Sequence, residues 1–375
     1  MTVIPETLRR LPWGMLLTLL AIISFGLATL YSAAGGNMSP WASNQAIRFV
    51  PLFGLMFAVS MVPVSAWMRF AYPFYGATLG LLLIVELFGK IGMGAQRWID
   101  LGFIRLQPSE FMKLAVVLTL ARFFHRTPAM YTSNPAVVLV AASIIAVPAG
   151  LVMLQPDLGT AMMITFAGVS MIFLAGVAWR YFLAAGAVVV AMLPIAWAML
   201  HDYQRNRVLI FLDPDSDPLG TGYHISQSKI AIGSGGWFGK GYLNGTQSHL
   251  EYLPETHTDF IFATMAEEWG LIGGIFVILA YGYLIRWGSR IGAESQSRFT
   301  RLAASGLAFT LFLYVGINLA MVMGLAPVVG IPLALMSYGG SAMMTVLILL
   351  GMLMSFHRDE QRASRIRSSG GRLIG

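Results

Sequence analysis

Long apolar stretches alternate with short polar segments along the whole chain. A stretch of about 20 residues with few or no charges is long enough for an α-helix to cross the hydrocarbon core of a bilayer. The pattern predicts ten such helices, near residues 13–33, 47–66, 70–88, 109–125, 134–154, 157–177, 181–200, 260–285, 302–324 and 333–356. We therefore expect an all-α integral membrane protein, a single polytopic domain over residues 1–375 with about ten transmembrane helices.

The composition excludes a soluble globular protein. Hydrophobic residues make up 57% of the chain, charged residues only 11%, and the mean hydropathy is +0.71. Soluble domains carry about 25% charged residues. The chain has no cysteine, which excludes disulfides and thiolate metal sites. Its net charge of +7 is not gathered into the single basic stripe of a nucleic-acid-binding surface, so no nucleic-acid partner is expected.

The basic residues favour one orientation in the membrane, because Lys and Arg are enriched in short cytoplasmic loops. The short loops near 34–46, 155–156 and 325–332 contain no Lys or Arg, whereas the tail after Phe356 is rich in arginine. Both termini are therefore predicted to be cytoplasmic. Two long outer loops remain, 89–108 and 201–259, and both contain basic and acidic residues. We expect the chemistry of the protein on this outer face.

Charged residues in and beside the first outer loop are the first candidates. Arg97 lies in the loop, and Glu110 and Lys113 are three residues apart, so they share one face of a predicted helix. Such a pair inside a membrane marks either a cavity or a structural lock, and the sequence leaves both open. Asp157 begins another predicted helix, where a carboxylate stabilises the helix dipole; capping is the favoured role.

The second outer loop combines arginines, a lysine and glycines. It contains Arg205 and Lys229. The acidic run Asp213–Gly220 is either a divalent-cation site or a turn, and its Asp-Pro pairs favour a turn. The segment Gly233–Gly241 resembles a phosphate-binding loop but departs from the Walker pattern, which leaves open a flexible turn that brings backbone N–H groups to an anion.

Asp259 closes this second loop. If a helix begins near Thr256, Glu255 and Asp259 lie one turn apart at the boundary between lipid and water. A low dielectric and a second carboxylate both raise the pKa of a carboxyl group, which suits a general base near neutral pH. His257 is a rival base, and a plain helix cap with solvated acids is the alternative to both.

Outside the cell a reaction has no ATP to draw on, so a substrate must bring its own leaving group. A basic cavity within the membrane suits a sugar carried on an isoprenoid diphosphate, because cations bind the diphosphate, apolar helices bind the tail and a carboxylate faces the sugar. A transporter with charges at the membrane midplane fits the same helices equally well. The residues alone therefore indicate this class of substrate and nothing more specific.

Several motifs in order along most of the chain resemble the SEDS (shape, elongation, division, sporulation) family. They are Gly94–Asp100, Gln107–Glu110, Gln155–Gly159, His201–Arg205, Asp213–Gly222, Gly222–Ile230, Leu253–Phe260 and Ser337–Ser341. The sequences of Tyr203–Arg205 and Lys229–Gly235 resemble those of the rod-shape elongation branch more closely than those of the division branch. No matched functional position departs from the family pattern.

The resemblance implies a GT-C-like membrane architecture and an inverting peptidoglycan glycosyltransferase that polymerises lipid II for cell elongation and rod shape. The family's catalytic aspartate maps onto Asp259. Its substrate-binding candidates are Arg97, Glu110, Lys113, Asp157, Arg205 and Lys229. The resemblance implies no certain cofactor, and a divalent cation, Mg²⁺ or Mn²⁺, stays open with no ligands assigned.

The expected partners are lipid II, the undecaprenyl-diphosphate-linked glycan, a class B penicillin-binding transpeptidase and other elongation-complex proteins. The expected location is the bacterial cytoplasmic (inner) membrane, with the active site facing the periplasm or cell exterior. Two alternatives stay open. A lipid II flippase would place charges through the depth of both leaflets, and a scaffold for the transpeptidase would have no need of Asp259.

Overall fold

The computed structural model describes residues 11–88, 90–92, 95–100, 105–199, 205–206, 208–210, 213, 221–249 and 255–370. Its helices are α1 (Trp13–Ala33), α2 (Trp41–Met61), α3 (Val64–Phe88), α4 (Pro108–Arg126), α5 (Pro135–Leu154), α6 (Leu158–Leu174), α7 (Trp179–Met199), α8 (Thr221–Ser234), α9 (Thr246–His249), α10 (Ile261–Glu294), α11 (Arg298–Val322) and α12 (Gly340–Gly370). A short 3-10 helix, Ala129–Tyr131, lies between α4 and α5.

A helix stands at each of the ten predicted spans, and the all-helical membrane fold is confirmed. By length and composition, seven of the described helices can cross a membrane: α1, α2, α3, α5, α10, α11 and α12. The helix α4 falls outside this set because Glu110, Lys113 and Arg122 interrupt its apolar sequence. The helix α6 has 17 residues and is a shorter apolar helix, as is α7 over Trp179–Ile195.

Several helix ends differ from the predicted ones. The helix α2 begins at Trp41 and ends at Met61, where the extended backbone of Val62 and the following proline stop it. The helix α10 continues to Glu294. The helix predicted from residue 333 begins only at Gly340, because residues 333–338 form a turn in which Ser337 Oγ accepts the N–H of Leu333 at 2.8 Å. Residues 323–339 are therefore a non-helical connection, the α11–α12 connection.

The two loops predicted on the outer face contain regular structure that the sequence did not predict. Strands β1 (Lys90–Gly92), β2 (Ala95–Asp100) and β3 (Arg105–Leu106) form an antiparallel sheet in the order β1-β2-β3. The register pairs Ile99 with Leu106, which brings the chain back to the start of α4. The segment predicted as the loop 201–259 contains α8 and α9 in its described part.

The centre of the bundle is formed by α4, α11 and α12. The described side chains from Met112 to Ala121 are buried without a gap, and most of the membrane-length part of α12 is buried. Around this centre α2 packs against α12, α3 against α4, α5 against α6, and α10 against α11. The charged pair of α4 is therefore held in the interior of the protein.

The glycine-rich segment that resembled a phosphate loop packs into a break in α10. Gly270 has φ 63° and interrupts that helix. The N–H groups of Lys240 and Gly241 donate to the carbonyls of Glu267 and Glu268 at 2.9 and 3.1 Å. A Cβ at Gly239 would lie 2.0 Å from the carbonyl oxygen of Glu268, so only glycine permits this approach. These N–H groups thus bind the protein's own backbone.

Candidate active site

Asp259 lies in a turn over residues 255–260, directly before α10, and is half-buried. Asn318 of α11 holds this turn: its Nδ2 donates to the carbonyl oxygens of Asp259 at 2.9 Å and of Ile331 at 2.8 Å. The hydroxyl of Ser337 donates to the carbonyl of Thr258 at 2.6 Å. The backbone of the turn is therefore fixed against α11 and the α11–α12 connection, which limits where the Asp259 carboxylate can point.

The middle of the α11–α12 connection passes beside the Asp259 carboxylate. A Cβ placed on Gly330 would lie 3.5 Å from Asp259 Oδ2. Gly330 has φ 71°, a backbone conformation that favours glycine. A larger residue would be strained there and would contact the carboxylate. Glycine at this position therefore places no side chain against the carboxylate.

The helix α10 begins at Ile261, close to the predicted start at residue 260, so the condition that a helix begins near Thr256 is not met. Glu255 has φ 53° and its carboxylate accepts a hydrogen bond from the hydroxyl of Thr258 within the turn. Glu255 is exposed. Glu255 and Asp259 are thus not neighbours on one helical face, and the expected mutual effect of two carboxylates loses its geometric basis.

His257 forms part of an aromatic stack beside the turn. Its ring lies parallel to that of Trp41, with centroids 4.1 Å apart, and 6.1 Å from the ring of Tyr338. Burial lowers the pKa of His257, and Glu255 opposes part of that effect. These contacts give the imidazole a packing role, so the geometry favours Asp259 over His257 as the base.

Glu110 and Lys113 form a buried ion pair inside the bundle. Lys113 Nζ lies 2.7 Å from Glu110 Oε1, and both side chains are nearly inaccessible. Tyr314 of α11 donates its hydroxyl to Glu110, and Lys113 Nζ lies 4.2 Å from the centre of the Tyr314 ring. Tyr314 is one helical turn from Asn318, which links this pair to the Asp259 turn. Of the two roles left open, the contacts favour the structural lock.

Asp157 and Arg97 meet at the start of α6. Asp157 caps that helix, as favoured from the sequence, by accepting the N–H of Thr160 at 3.1 Å. Arg97 donates to the carbonyl oxygens of Gln155, at 3.0 Å, and Pro156, and lies 4.0 Å from the Asp157 carboxylate. The next residue but one, Gly159, packs on the carbonyl of Val329. Asp157 therefore borders the same connection as Asp259.

The other two cationic candidates differ in their surroundings. Arg205 donates to the carbonyl oxygens of Trp197 and Ala198 at 3.0 and 2.7 Å and so caps the end of α7. Lys229 of α8 is exposed, and its Cε would lie 2.2 Å from a Cβ on Gly324, at the start of the α11–α12 connection. Within the described part of the chain, no ion pair of Lys229 is seen.

The α11–α12 connection thus brings together Asp157, Lys229 and Asp259, and Glu110 and Lys113 reach it through α11. Sequence reasoning did not select Tyr314 and Asn318, the two residues that make this link. Two hydrogen-bonding side chains four residues apart in the uncharged predicted span 302–324 are the signal that would have found them.

A metal centre is not assembled by the described residues. No group of three or more His, Asp or Glu side chains among them is close enough together to hold a metal ion. Of the acidic run 213–220, only Asp213 lies within the described residues, where it is exposed. The Mg²⁺ or Mn²⁺ ion stays a prediction, and no step below depends on it.

Comparison with known proteins decides the family. Residues 9–362 match the family model for FtsW, RodA and SpoVE, described as "cell cycle protein". The chain belongs to this family. The match covers nearly the whole chain, and it confirms the resemblance to SEDS proteins.

Curated relatives and solved structures agree with this assignment. The chain is 46% identical over 358 residues to peptidoglycan glycosyltransferase MrdB of Escherichia coli K12, covering 94% of each chain. It is 36% identical to MrdB of Helicobacter pylori 26695, covering 83% of this chain and 81% of the other. Its fold matches rod shape determining protein RodA of Thermus thermophilus with a TM-score of 0.71 and 29% identity, over 93% and 97% of the two chains.

The match to a second solved structure is stronger. A chain from work described as "Structural coordination of polymerization and crosslinking by a peptidoglycan synthase complex" has a TM-score of 0.81 and 33% identity, over 93% of this chain and 98% of that one. Because these matches run nearly end to end, the whole bundle, including the Asp259 turn, falls within the region of similarity.

Proposed function

We propose that this protein, a multi-pass bacterial membrane protein, polymerises the glycan strands of peptidoglycan from lipid II for cell elongation. The observation that carries the proposal is the half-buried Asp259 carboxylate. It lies in a turn that Asn318 fixes, and its neighbour Gly330 has no side chain to cover it. The relatives named peptidoglycan glycosyltransferase support it, since they share up to 46% of their residues with this chain over nearly its full length.

In the proposed reaction Asp259 is the general base. Its carboxylate takes the proton of the 4-hydroxyl of the GlcNAc unit of lipid II as that oxygen attacks the anomeric carbon of MurNAc on the growing strand. A new glycosidic bond forms, and the bond between that carbon and the diphosphate oxygen breaks, releasing undecaprenyl diphosphate. Attack opposite the leaving group inverts the anomeric centre. General-base catalysis of this kind contributes about 10²–10⁴ to the rate.

The departing diphosphate gains negative charge in the transition state, so a nearby cation lowers the barrier. Of the four predicted cations, Lys229 is the best placed, because it is exposed and its ammonium group has no ion pair within the described part of the chain. Arg97, Arg205 and Lys113 have partners within the protein and would bind a substrate only by exchanging them. Glu110 and Asp157 shape and hold the walls of the site.

The proposed setting is the outer face of the cytoplasmic membrane, with both termini in the cytoplasm. The proposed partner is a class B penicillin-binding transpeptidase that crosslinks the new strands. The similar chain from a peptidoglycan synthase complex supports such a partnership, because that complex is described as coordinating polymerisation with crosslinking.

The test is an assay of the purified protein in liposomes containing lipid II, with and without Mg²⁺ or Mn²⁺. Polymer formation and movement of lipid II between leaflets are measured in the same preparation. We expect glycan chains and release of undecaprenyl diphosphate. Lipid movement without polymer would assign the flippase function instead, and neither activity, together with capture of the transpeptidase, would assign a scaffold.

A further inference from the structure

Arg48 is an exposed arginine within a helix of membrane-spanning length. It lies about two turns from the start of α2 at Trp41. Its neighbours Ile47 and Val50 are 69% and 71% exposed, which is how side chains facing lipid are placed. A charge at membrane depth costs about 3 kcal/mol even on the lenient insertion scale, so such residues mark functional sites by default.

The protein orients this guanidinium group without neutralising it. The Arg48 Cζ lies 5.0 Å from the centre of the Tyr338 ring, and its Nη1 lies 3.7 Å from the position of a Cβ on Gly340. Contact with an aromatic face holds a cation in place but leaves its charge unpaired. No ion pair or hydrogen bond of the Arg48 side chain is seen among residues 11–370 wherever the structure describes them. Arg48 is therefore available to an anion from outside the chain.

Arg48 lies at one end of the α11–α12 connection, which borders the Asp259 turn. Tyr338, beneath Arg48, donates its N–H to the carbonyl of His257 at 2.8 Å, two residues before Asp259. Gln45, one turn from Arg48 on α2, donates to the carbonyl of Ser337 at 2.9 Å. Lys229 lies at the opposite end of the same connection, against Gly324. Two exposed cations thus flank the segment whose middle passes beside Asp259.

The reaction joins two molecules that each carry a diphosphate on a lipid tail, and this requirement rests on the proposed function. One cation cannot serve both, because the two diphosphates are separated by the sugars being joined. We propose that Arg48 binds the diphosphate of one lipid-linked substrate, at a site separate from the one that Lys229 serves. The position of Arg48 in a lipid-facing helix lets that substrate enter with its tail in the bilayer.

The first test measures polymer synthesis against lipid II concentration in detergent free of phospholipid, for wild type, Arg48→Gln and Arg48→Lys. Arg48→Gln is expected to raise KM about tenfold, with a smaller change in kcat, since a charged contact to substrate is lost. Arg48→Lys is expected to recover much of the loss because it restores the charge. The matched control is Arg290→Gln, because Arg290 is exposed on α10, is paired with Glu294, and plays no part in the site.

A second measurement separates this proposal from the proposed function. Undecaprenyl diphosphate is added to each variant in the same detergent, and the shift in melting temperature is recorded. Wild type and Arg290→Gln should be stabilised, and Arg48→Gln clearly less. This result would stand even if the wild type made no polymer. Equal stabilisation of Arg48→Gln, or a KM within twofold of wild type, would overturn the proposal. So would an effect of Arg48→Gln seen only in anionic phospholipid vesicles, which would assign Arg48 to lipid headgroups.

Discussion

Two regions of the molecule use their charges in opposite ways. In the closed region, made of the Glu110–Lys113 pair and the Glu267–Lys240 pair, the carboxylates are buried and bonded to cations of the chain. In the open region, around the α11–α12 connection, Lys229 and Arg48 are exposed and Asp259 is half-buried. The closed region fixes the helices and loops, and under the proposed function the open region meets the charged substrate.

The comparison teaches that charge alone does not identify a substrate-binding residue in this protein. Lys113 and Lys229 are both predicted substrate-binding lysines. One is buried against Glu110 and Tyr314, and the other is exposed beside Gly324. A buried charge that loses its partner destabilises the fold strongly, whereas removal of an exposed charge leaves the fold nearly unchanged. Stability and activity should therefore separate the two regions.

The largest effect on stability is expected from Lys113→Met. It leaves the Glu110 carboxylate buried without its cation, which costs about 3–5 kcal/mol. Thermal unfolding in detergent measures the loss. The double variant Glu110→Gln with Lys113→Met should recover most of it, because no unpaired charge remains. The matched change in the open region, Lys229→Gln, should alter stability by less than about 0.5 kcal/mol. Equal stability of Lys113→Met and wild type would remove the distinction between the regions.

A smaller effect is expected from Glu267→Gln. The Glu267 carboxylate accepts bonds from Lys240 Nζ at 2.6 Å and from the backbone N–H groups of Thr246 and Gln247 at 2.9 and 3.0 Å. Weakening these charged bonds should cost about 2 kcal/mol and loosen the glycine-rich segment. Limited proteolysis within residues 233–249 reports the loosening. Lys240→Met, which keeps the backbone donors, should cause a smaller loss of stability. If both variants resist protease like wild type, the Glu267–Lys240 pair does not hold the glycine-rich segment.

The smallest effect concerns pH and His257. Burial lowers the pKa of His257 in the folded protein. As the pH falls below about 6.5, His257 is therefore protonated in the unfolded chain before it is protonated in the folded chain. Stability should therefore fall as the pH drops from 7.5 towards the folded pKa, and this loss should be absent in His257→Phe, which keeps an aromatic ring on Trp41. Melting temperatures of both proteins between pH 5 and 7.5 check this. Parallel curves would contradict it.

The sequence predicted the helices well because the bilayer imposes a length on every apolar stretch, and all ten predicted spans contain a helix. It predicted the cap at Asp157 from local chemistry, which the contact with Thr160 confirms. It missed the late start of α12 and the break at Gly270, because both depend on tertiary contacts with Ser337 and with the glycine-rich segment.

The candidate site was predictable in its residues and not in their roles. The motifs and the family pattern selected Asp259, Lys229 and the Glu110–Lys113 pair, but sequence cannot say which cations already have partners in the fold. Asn318 was missed because its spacing from Tyr314 shows only that the two share a helical face, and its role follows from its bonds to Asp259 and Ile331. Arg48 was not among the predicted site residues.

The most direct test of the central claim compares polymer synthesis from lipid II by wild type and Asp259→Ala, at matched amounts and with matched melting temperatures. Loss of a general base predicts a fall in rate of at least about 100-fold, while Glu255→Gln, in the same turn, keeps nearly full activity. Polymer made by Asp259→Ala at the wild-type rate would show that this carboxylate is not the base.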